Sequence, residues 1–346
     1  MADWTRGMTR TYEFWTVNPD TWGDLDLLTG ITGATITRDM DDELLENSSY
    51  EMDARAGEGY VRTYLVTEQD GVRERWPLAT HLLMAPSREF NGMRGTMTAE
   101  GSSPLVELSG ERLPVCYTVE SGWASEHVGR ILRSYGKMPV TVSASVGQLA
   151  EACTADEDTS PLAYIATLNG KCGTWVVLNG RGEAMVGPKP QPASLMPVFT
   201  FDDGNSSILR PAVVVSSNIA DVPNVVQVVY STPKGYMLSE AVNEDMSDEN
   251  SVPNLGRRKV LRLVNPELPD DPDQEDIDIL ARKTLKDEGA TVYEVEFEHA
   301  FHPDVVLGVA VRLSYSRMGL DCIAQVVSQE IQCTPGCLVR TRARFT

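Results

Sequence analysis

The chain has 346 residues, 42% of them hydrophobic, with fifty Asp and Glu against thirty Lys and Arg, a formal net charge of −20. Wholesale disorder is excluded, two or three domains with their own cores are expected, and so negative a surface disfavours sequence-specific nucleic-acid binding. No run of about 18 apolar residues occurs and Met1 to Arg10 lacks the apolar core of a secretory signal, so a soluble protein made in the cytosol, without a membrane anchor, is expected.

From Thr11 to about Gly101 apolar and polar residues alternate, in Thr11–Val17, Ala34–Thr37 and Val61–Val66, which predicts strands. Asp70-Gly71 and Asn91-Gly92 supply the positive φ angles of tight hairpins. Around Pro114 the texture changes. Ser125 reads as the cap of a helix running to Ser134, and Pro161 opens a second over Leu162–Leu168. Asn179-Gly180 joins Gly173–Leu178 to Glu183–Val186 in a further hairpin, and the Pro-rich Gly187–Pro192 predicts an extended linker.

Beyond the linker, Ile208–Val215 and Val225–Tyr230 read as well-buried β-branched strands. Two acidic runs without Lys or Arg follow, Glu240–Glu249 with five acids and Glu267–Asp278 with seven, and these read as solvated loops. Pro272–Lys286 has acids first and bases last, as an amphipathic helix prefers. The last sixty residues return to strands, Thr291–Phe297, Val309–Tyr315, Cys322–Cys333 and Cys337–Phe345, with the tight turn Thr334-Pro-Gly336 joining the final pair.

Motifs of catalysis are missing. There is no Gly-x-Ser-x-Gly elbow, no complete P-loop and no His-Glu-x-x-His helix. Gly170-Lys-Cys-Gly173 and Gly187-Pro-Lys189 lack phosphate-loop spacing and read as turns. The four histidines, His81, His127, His299 and His302, make a poor zinc set, because His299 and His302 on one strand would point to opposite faces. The six cysteines, Cys116, Cys153, Cys172, Cys322, Cys333 and Cys337, are irregularly spaced. Across a hairpin, Cys333 and Cys337 have three readings: a packed thiol pair, a disulfide formed after release from the cell, or part of a metal or iron–sulfur site recruiting Cys322 and one more cysteine.

Three passages carry a family resemblance: Tyr12–Trp22 running into Leu28–Asp39, Thr200–Ile208 followed by Val222–Val228, and Phe301–Gly308. Together they resemble minor tail proteins of long-tailed bacteriophages of Gram-positive hosts, in the tail-tip or baseplate-hub superfamily. The segment Ser160–Leu168 with the Gly173–Val186 hairpin also resembles the helix-plus-hairpin domain of such hubs. The resemblance implies a mainly β (α+β) fold with two tube-like antiparallel β-barrels. The first barrel would span 1–113, an α+β insert domain 114–199, and the second barrel 200–235 plus 288–346, interrupted by an acidic loop/helix insert over 236–287.

It further implies a non-enzymatic structural protein of the virion, assembled in the host cytoplasm. Its homotrimeric ring would adapt a sixfold tail tube to a threefold tip and line the DNA ejection channel. The implied partners are a distal tail protein ring, the tape-measure protein and downstream tip or fibre proteins, with DNA passing through unbound and no cofactor. An acidic lining would keep DNA moving by repulsion; acids that merely solubilise the outside are the other reading. Competing functions are a receptor- or carbohydrate-binding tail protein, with Trp22, Trp76 and Trp123 as platforms, and a cell-wall hydrolase using a carboxylate pair.

Overall fold

The computed structural model describes residues 2–52, 58–90, 95–190, 195–204, 207–217, 219, 222–232, 235–266, 272–289 and 293–345. The expected Asn91-Gly92 turn, the end of the Pro-rich linker and the start of the second acidic run lie outside them. The first strands are β1 (Thr9–Val17), β2 (Asp24–Leu27), β3 (Ile31–Asp39), β4 (Glu46–Met52), β5 (Gly59–Gln69), β6 (Val72–Phe90) and β7 (Gly95–Ser102). The middle of the chain adds α1 (Val106–Gly110), β8 (Thr118–Val119), β9 (Gly122–Trp123), α2 (Ala124–Tyr135), β10 (Val140–Val142), β11 (Gln148–Leu149), β12 (Cys153–Thr154), α3 (Pro161–Cys172), β13 (Thr174–Leu178) and β14 (Ala184–Pro188). Then come β15 (Pro197–Asp202), β16 (Leu209–Ser217), β17 (Val225–Thr232), β18 (Gly235–Val242), α4 (Val252–Leu255), β19 (Val260–Val264) and α5 (Gln274–Glu288). The chain ends in β20 (Tyr293–Ala300), β21 (Ala310–Tyr315), β22 (Leu320–Gln332) and β23 (Leu338–Phe345).

The fold is mostly β, as expected; β15 with β21, β17 with β19 and the short β10 with β14 pair in parallel, whereas β1 with β5, β5 with β6 and β3 with β4 are antiparallel. Thirteen strands form one sheet in the order β16-β20-β23-β22-β3-β4-β7-β6-β5-β1-β2, with β21 on β22 and β15 on β21. The strands expected in two barrels are therefore hydrogen-bonded together where Ser328–Gln332 of β22 meets Thr35–Asp39 of β3. The alternation in the sequence becomes burial directly. In β4 (ENSSYEM) every second residue turns inward, with Tyr50 and Met52 in the core. At the β5–β6 turn Asp70 and Gly71 take φ of 51° and 78°, the left-handed pair a two-residue hairpin requires.

Two compact units emerge, Met1–Val213 with Glu296–Ala343, and Val214–Val295 with Arg344–Thr346. In the first, β5 is buried along most of its length. Val61 and Leu65 belong to the core of the sheet, whereas Tyr60 joins Val17 and Trp22 in the core built around Val128, Ile131, Leu132, Leu162, Ile165 and Val176 of the α+β region. The 114–199 segment thus shares its core with β1 and β5. Its α3 is longer than expected, capped at Ser160, whose hydroxyl accepts from the Ala163 N–H at 3.1 Å, and stopped at Gly173 in the left-handed conformation. Gly170–Cys172, expected in a turn, are its last helical residues, and Gly187-Pro188 lies in β14.

The second unit is a small sheet, β18-β17-β19, with α5 on one face through Val226, Val228, Ala241, Ile277 and Ala281. Asp273 caps α5 in a capping box with Asp276, so part of the acidic run is helix-forming chemistry and not loop.

Several expectations are corrected. Strand β17 pairs with β18 and β19 and so leaves the set expected for the second barrel. Glu240, placed in a loop by its charge, sits in β18, bound by Gln227 and Arg258. Strand β16 is mostly exposed, with Val214 at 60%, because it ends the sheet order and has a neighbour on one side only. Ser125 does not cap α2; Trp123 holds that position. Ser125 is buried in the first turn, donating to the Ala144 carbonyl and accepting from the Val146 N–H, both at 3.0 Å.

Candidate functional site

In the first unit the β13–β14 hairpin is tied to the sheet by a close backbone approach and a set of buried hydrogen bonds. Asn179 folds the connecting loop by accepting from the N–H groups of Arg181 and Glu183 at 2.9 and 3.1 Å, so the expected two-residue turn is a wider one. The loop presses onto β6 at Gly180, where a Cβ would come 2.0 Å from the Pro77 carbonyl oxygen. Only a residue without a side chain fits there.

The carbonyl of Arg181 accepts from Trp22 Nε1 at 2.8 Å and from Arg62 at 3.1 Å. Arg62 is only 2% exposed, yet all three of its guanidinium nitrogens have partners, since it donates also to Thr80 Oγ1 (2.9 Å), Asp24 Oδ1 (2.7 Å) and the Trp22 carbonyl (3.1 Å). A buried guanidinium is tolerable only with partners of this kind. Trp22 holds a left-handed φ of 56°, a strained state for a bulky residue, and packs edge-on to Tyr60 at 5.0 Å. Tyr64 donates to Asp24 at 2.9 Å, and the Arg75 guanidinium stands 4.1 Å over the Tyr64 ring.

A second buried cluster joins β3, β4 and β6. Arg38 Nε lies 3.0 Å from Glu46 Oε1, His81 Nε2 lies 3.8 Å from Glu46 Oε2, and the Tyr50 hydroxyl bridges His81 Nδ1 (3.3 Å) and Thr63 Oγ1 (3.1 Å). Arg38 also donates to the Leu78 carbonyl. Burial pushes the Glu46 carboxyl up to about 7, against the pull of Arg38, and pushes His81 down to about 3, with Arg38 acting in the same direction. Burial likewise raises the Tyr50 hydroxyl to about 12. A cavity of about 300 Å³ adjoins the cluster, lined among others by Arg38, Glu46, Leu178, Gly180 and Phe301. Arg38, Glu46 and His81 are all buried, so each charge in this acid–base set depends on the partners the fold brings to it.

The residues singled out by the sequence fall elsewhere. Cys333 and Cys337 are free, buried thiols in the sheet core, beside Ala34 and Phe301. Tyr12 donates to the Thr334 carbonyl at 2.8 Å and Arg10 to that of Gly336 at 3.2 Å, closing the turn over them. Burial raises both thiols, Cys337 to about 11 and Cys333 further, so neither is a ready thiolate. Cys322 is half-buried on β22.

His299 is buried between Phe201 and Phe297, its ring nitrogens 2.7 Å from the Ala300 carbonyl and 2.8 Å from Thr341 Oγ1, and burial pushes it down to about 4. His302 packs against Phe199 and Trp4. Among the described residues no three His, Cys, Asp or Glu side chains gather as metal ligands. Trp22 is core and Trp76 packs on Trp4 at 5.3 Å, which leaves Trp123 as the exposed member of the proposed aromatic platform. The charged partners Arg38, Glu46 and Arg62 escaped the sequence reading; their one signal is a charge on the inward register of an alternating strand.

No family model matches the chain, and no curated protein matches it in sequence. Its fold, however, is that of solved tail proteins. A tail protein from Neisseria meningitidis aligns with a TM-score of 0.67 at 11% identity, covering 97% of this chain and 96% of that one. The 43 kDa tail protein of prophage MuSo2 from Shewanella oneidensis gives 0.65 at 13%, covering 96% and 97%. Prophage tail protein gp18 from Listeria monocytogenes gives 0.54 at 9%, covering 99% and 95%. The likeness spans the whole length of each, and it is shared across three bacterial genera.

Proposed function

We propose that this chain is a structural, non-enzymatic subunit of a phage tail tip, a baseplate hub whose copies close into a homotrimeric ring between a sixfold tail tube and a threefold tip. The single observation that carries the reading is the end-to-end correspondence of fold with tail proteins, with at least 95% of both chains covered in all three cases. Two features of this chain support it. The clamped joint around Arg62, Trp22 and Gly180 fixes the α+β region against the sheet, as a load-carrying ring subunit needs. The excess of twenty acids over bases suits a wall past which DNA slides without binding.

In the virion the ring would contact a distal tail protein above, the tape-measure protein on the axis and tip or fibre proteins below. No helix among the described residues is long and apolar enough to cross a membrane. Mass measurement by light scattering and negative-stain imaging test the reading, with antibody labelling of virions from the parent phage. Three copies of the 38.0 kDa chain in a threefold ring, and label at the tail tip, are expected. A compact monomer at every concentration, with unlabelled virions, would overturn it.

A further inference from the structure

The sheet of the second unit is covered on one face by α5 and, from the Gln227 row onward, open on the other. Because α5 packs on Val226, Val228 and Ala241, strand alternation turns Gln227 and Val229 away from it, together with their partners. The register places Glu240, Gln227 and Arg262 side by side in one row, and Leu238, Val229 and Val264 in the next. Gln227 joins the ends of the polar row, donating to Glu240 at 2.6 Å and accepting from Arg262 at 2.8 Å. The apolar row is bare, with Leu238 58% and Val264 62% exposed. A sheet face of this composition needs a cover.

The same unit carries a matching surface. Helix α5 buries Ile277 and Ala281 and packs Leu280 beside them, so Glu275, Ile279 and Arg282 form its outer stripe, and Ile279 is 53% exposed. Reading along this stripe gives acid, apolar, base. Glu275 and Arg282 are seven residues apart, about 10 Å along a helix axis. Glu240 and Arg262 are two strand spacings apart, also about 10 Å. A helix laid across the strands therefore sets Glu275 over Arg262 and Arg282 over Glu240, with Ile279 against the apolar row.

Within one chain the helix already occupies the opposite face, so its outer stripe can reach this face only from another copy. We infer that the open face of β18-β17-β19 receives the outer stripe of α5 from a second copy of this chain. The contact is heterologous, the kind that closes copies into rings, and the inference rests on the ring reading above. The open face measures only about 14 by 17 Å by strand spacing and rise, so it reinforces a ring and does not form one alone.

The test is analytical ultracentrifugation of the full chain over a concentration series, with far-UV circular dichroism to verify folding. Ile279→Lys and Arg262→Glu, both at exposed positions, are each expected to raise the concentration for half-assembly by about tenfold or more. Adding Glu275→Arg to Arg262→Glu restores the opposite charges and is expected to return assembly to near the wild-type concentration, which a general loss of folding would not do. If both single variants assemble like wild type, the inference is overturned and the ring stands. If the double variant stays as weak as Arg262→Glu, the helix is the wrong occupant and the inference falls. If the wild-type chain never associates, the ring reading falls and takes the inference with it.

Discussion

Two regions of the large sheet each bury a neutral histidine, and they do so with opposite chemistry. In β3, β4 and β6, His81 sits in a polar network with Tyr50 and the Arg38–Glu46 pair. In β15, β20 and β23, His299 is held by Thr341 and walled by Phe201 and Phe297, whose rings lie 5.0 Å apart. The first arrangement depends on every charge keeping its partner, because removing one strands the other in a low-dielectric core. The second depends on shape, and a truncation there loses the removed contacts and leaves a cavity but strands no charge. One core is brittle and specific; the other is tolerant.

The largest expected effect breaks the polar side. Glu46→Ala leaves Arg38 buried and unpaired and should cost about 3–5 kcal/mol, read as a shift in the urea midpoint. The double replacement Arg38→Met with Glu46→Leu should recover most of that loss, and a double variant as unstable as the single one would contradict the ion-pair account. Gly180→Ala comes next. The new Cβ collides with the Pro77 carbonyl, for a loss of about 1–3 kcal/mol and faster proteolysis in the hairpin loop. On the aromatic side, Phe297→Leu should cost about 1–2 kcal/mol, because it removes buried apolar volume but leaves no charge without a partner.

The dependence on pH sharpens the same contrast. Both histidines are held below their ordinary 6.5 and are neutral when folded, so their contribution is complete above about 6.5 and lost as pH falls towards 4 for His299 and 3 for His81. Glu46 is raised from 4.5 to about 7, so its contribution is present below 4.5 and lost as pH rises through 7. Between about 4.5 and 6.5 the two effects oppose each other. Glu46→Gln removes one of them, and its stability should climb more steeply with pH in that window than wild type; equal slopes would show that Glu46 does not titrate there. The smallest effect concerns the thiols. Cys116 is exposed and should react first with a disulfide reagent, while Cys333 and Cys337 should stay silent until the chain unfolds.

The sequence was legible where local chemistry agreed with tertiary placement. Alternation located β1, β3 and β5, Pro161 located the start of α3, and the acid-to-base gradient located α5. It failed where placement overrode pattern. The run Val213–Val215 has the composition of a central strand, but topology puts it at an edge, and no local signal records that. Ser125 has a capping residue's chemistry and spends it on Ala144 and Val146 instead. Val225–Tyr230 could be found as a strand, but its allegiance to β18 and β19 is a non-local pairing. Arg38, Glu46 and Arg62 went unread, because their partners are brought to them by other strands.

The joint between hairpin and sheet is read through backbone. Trp22 and Arg62 both grip the carbonyl oxygen of residue 181, a group every amino acid supplies, while the Arg181 side chain stands in solvent. Position 181 is therefore free to drift, and its neighbour at 180 is not. A cysteine placed at 181 would carry a fluorescent label beside the clamp and leave both hydrogen bonds to the 181 carbonyl in place.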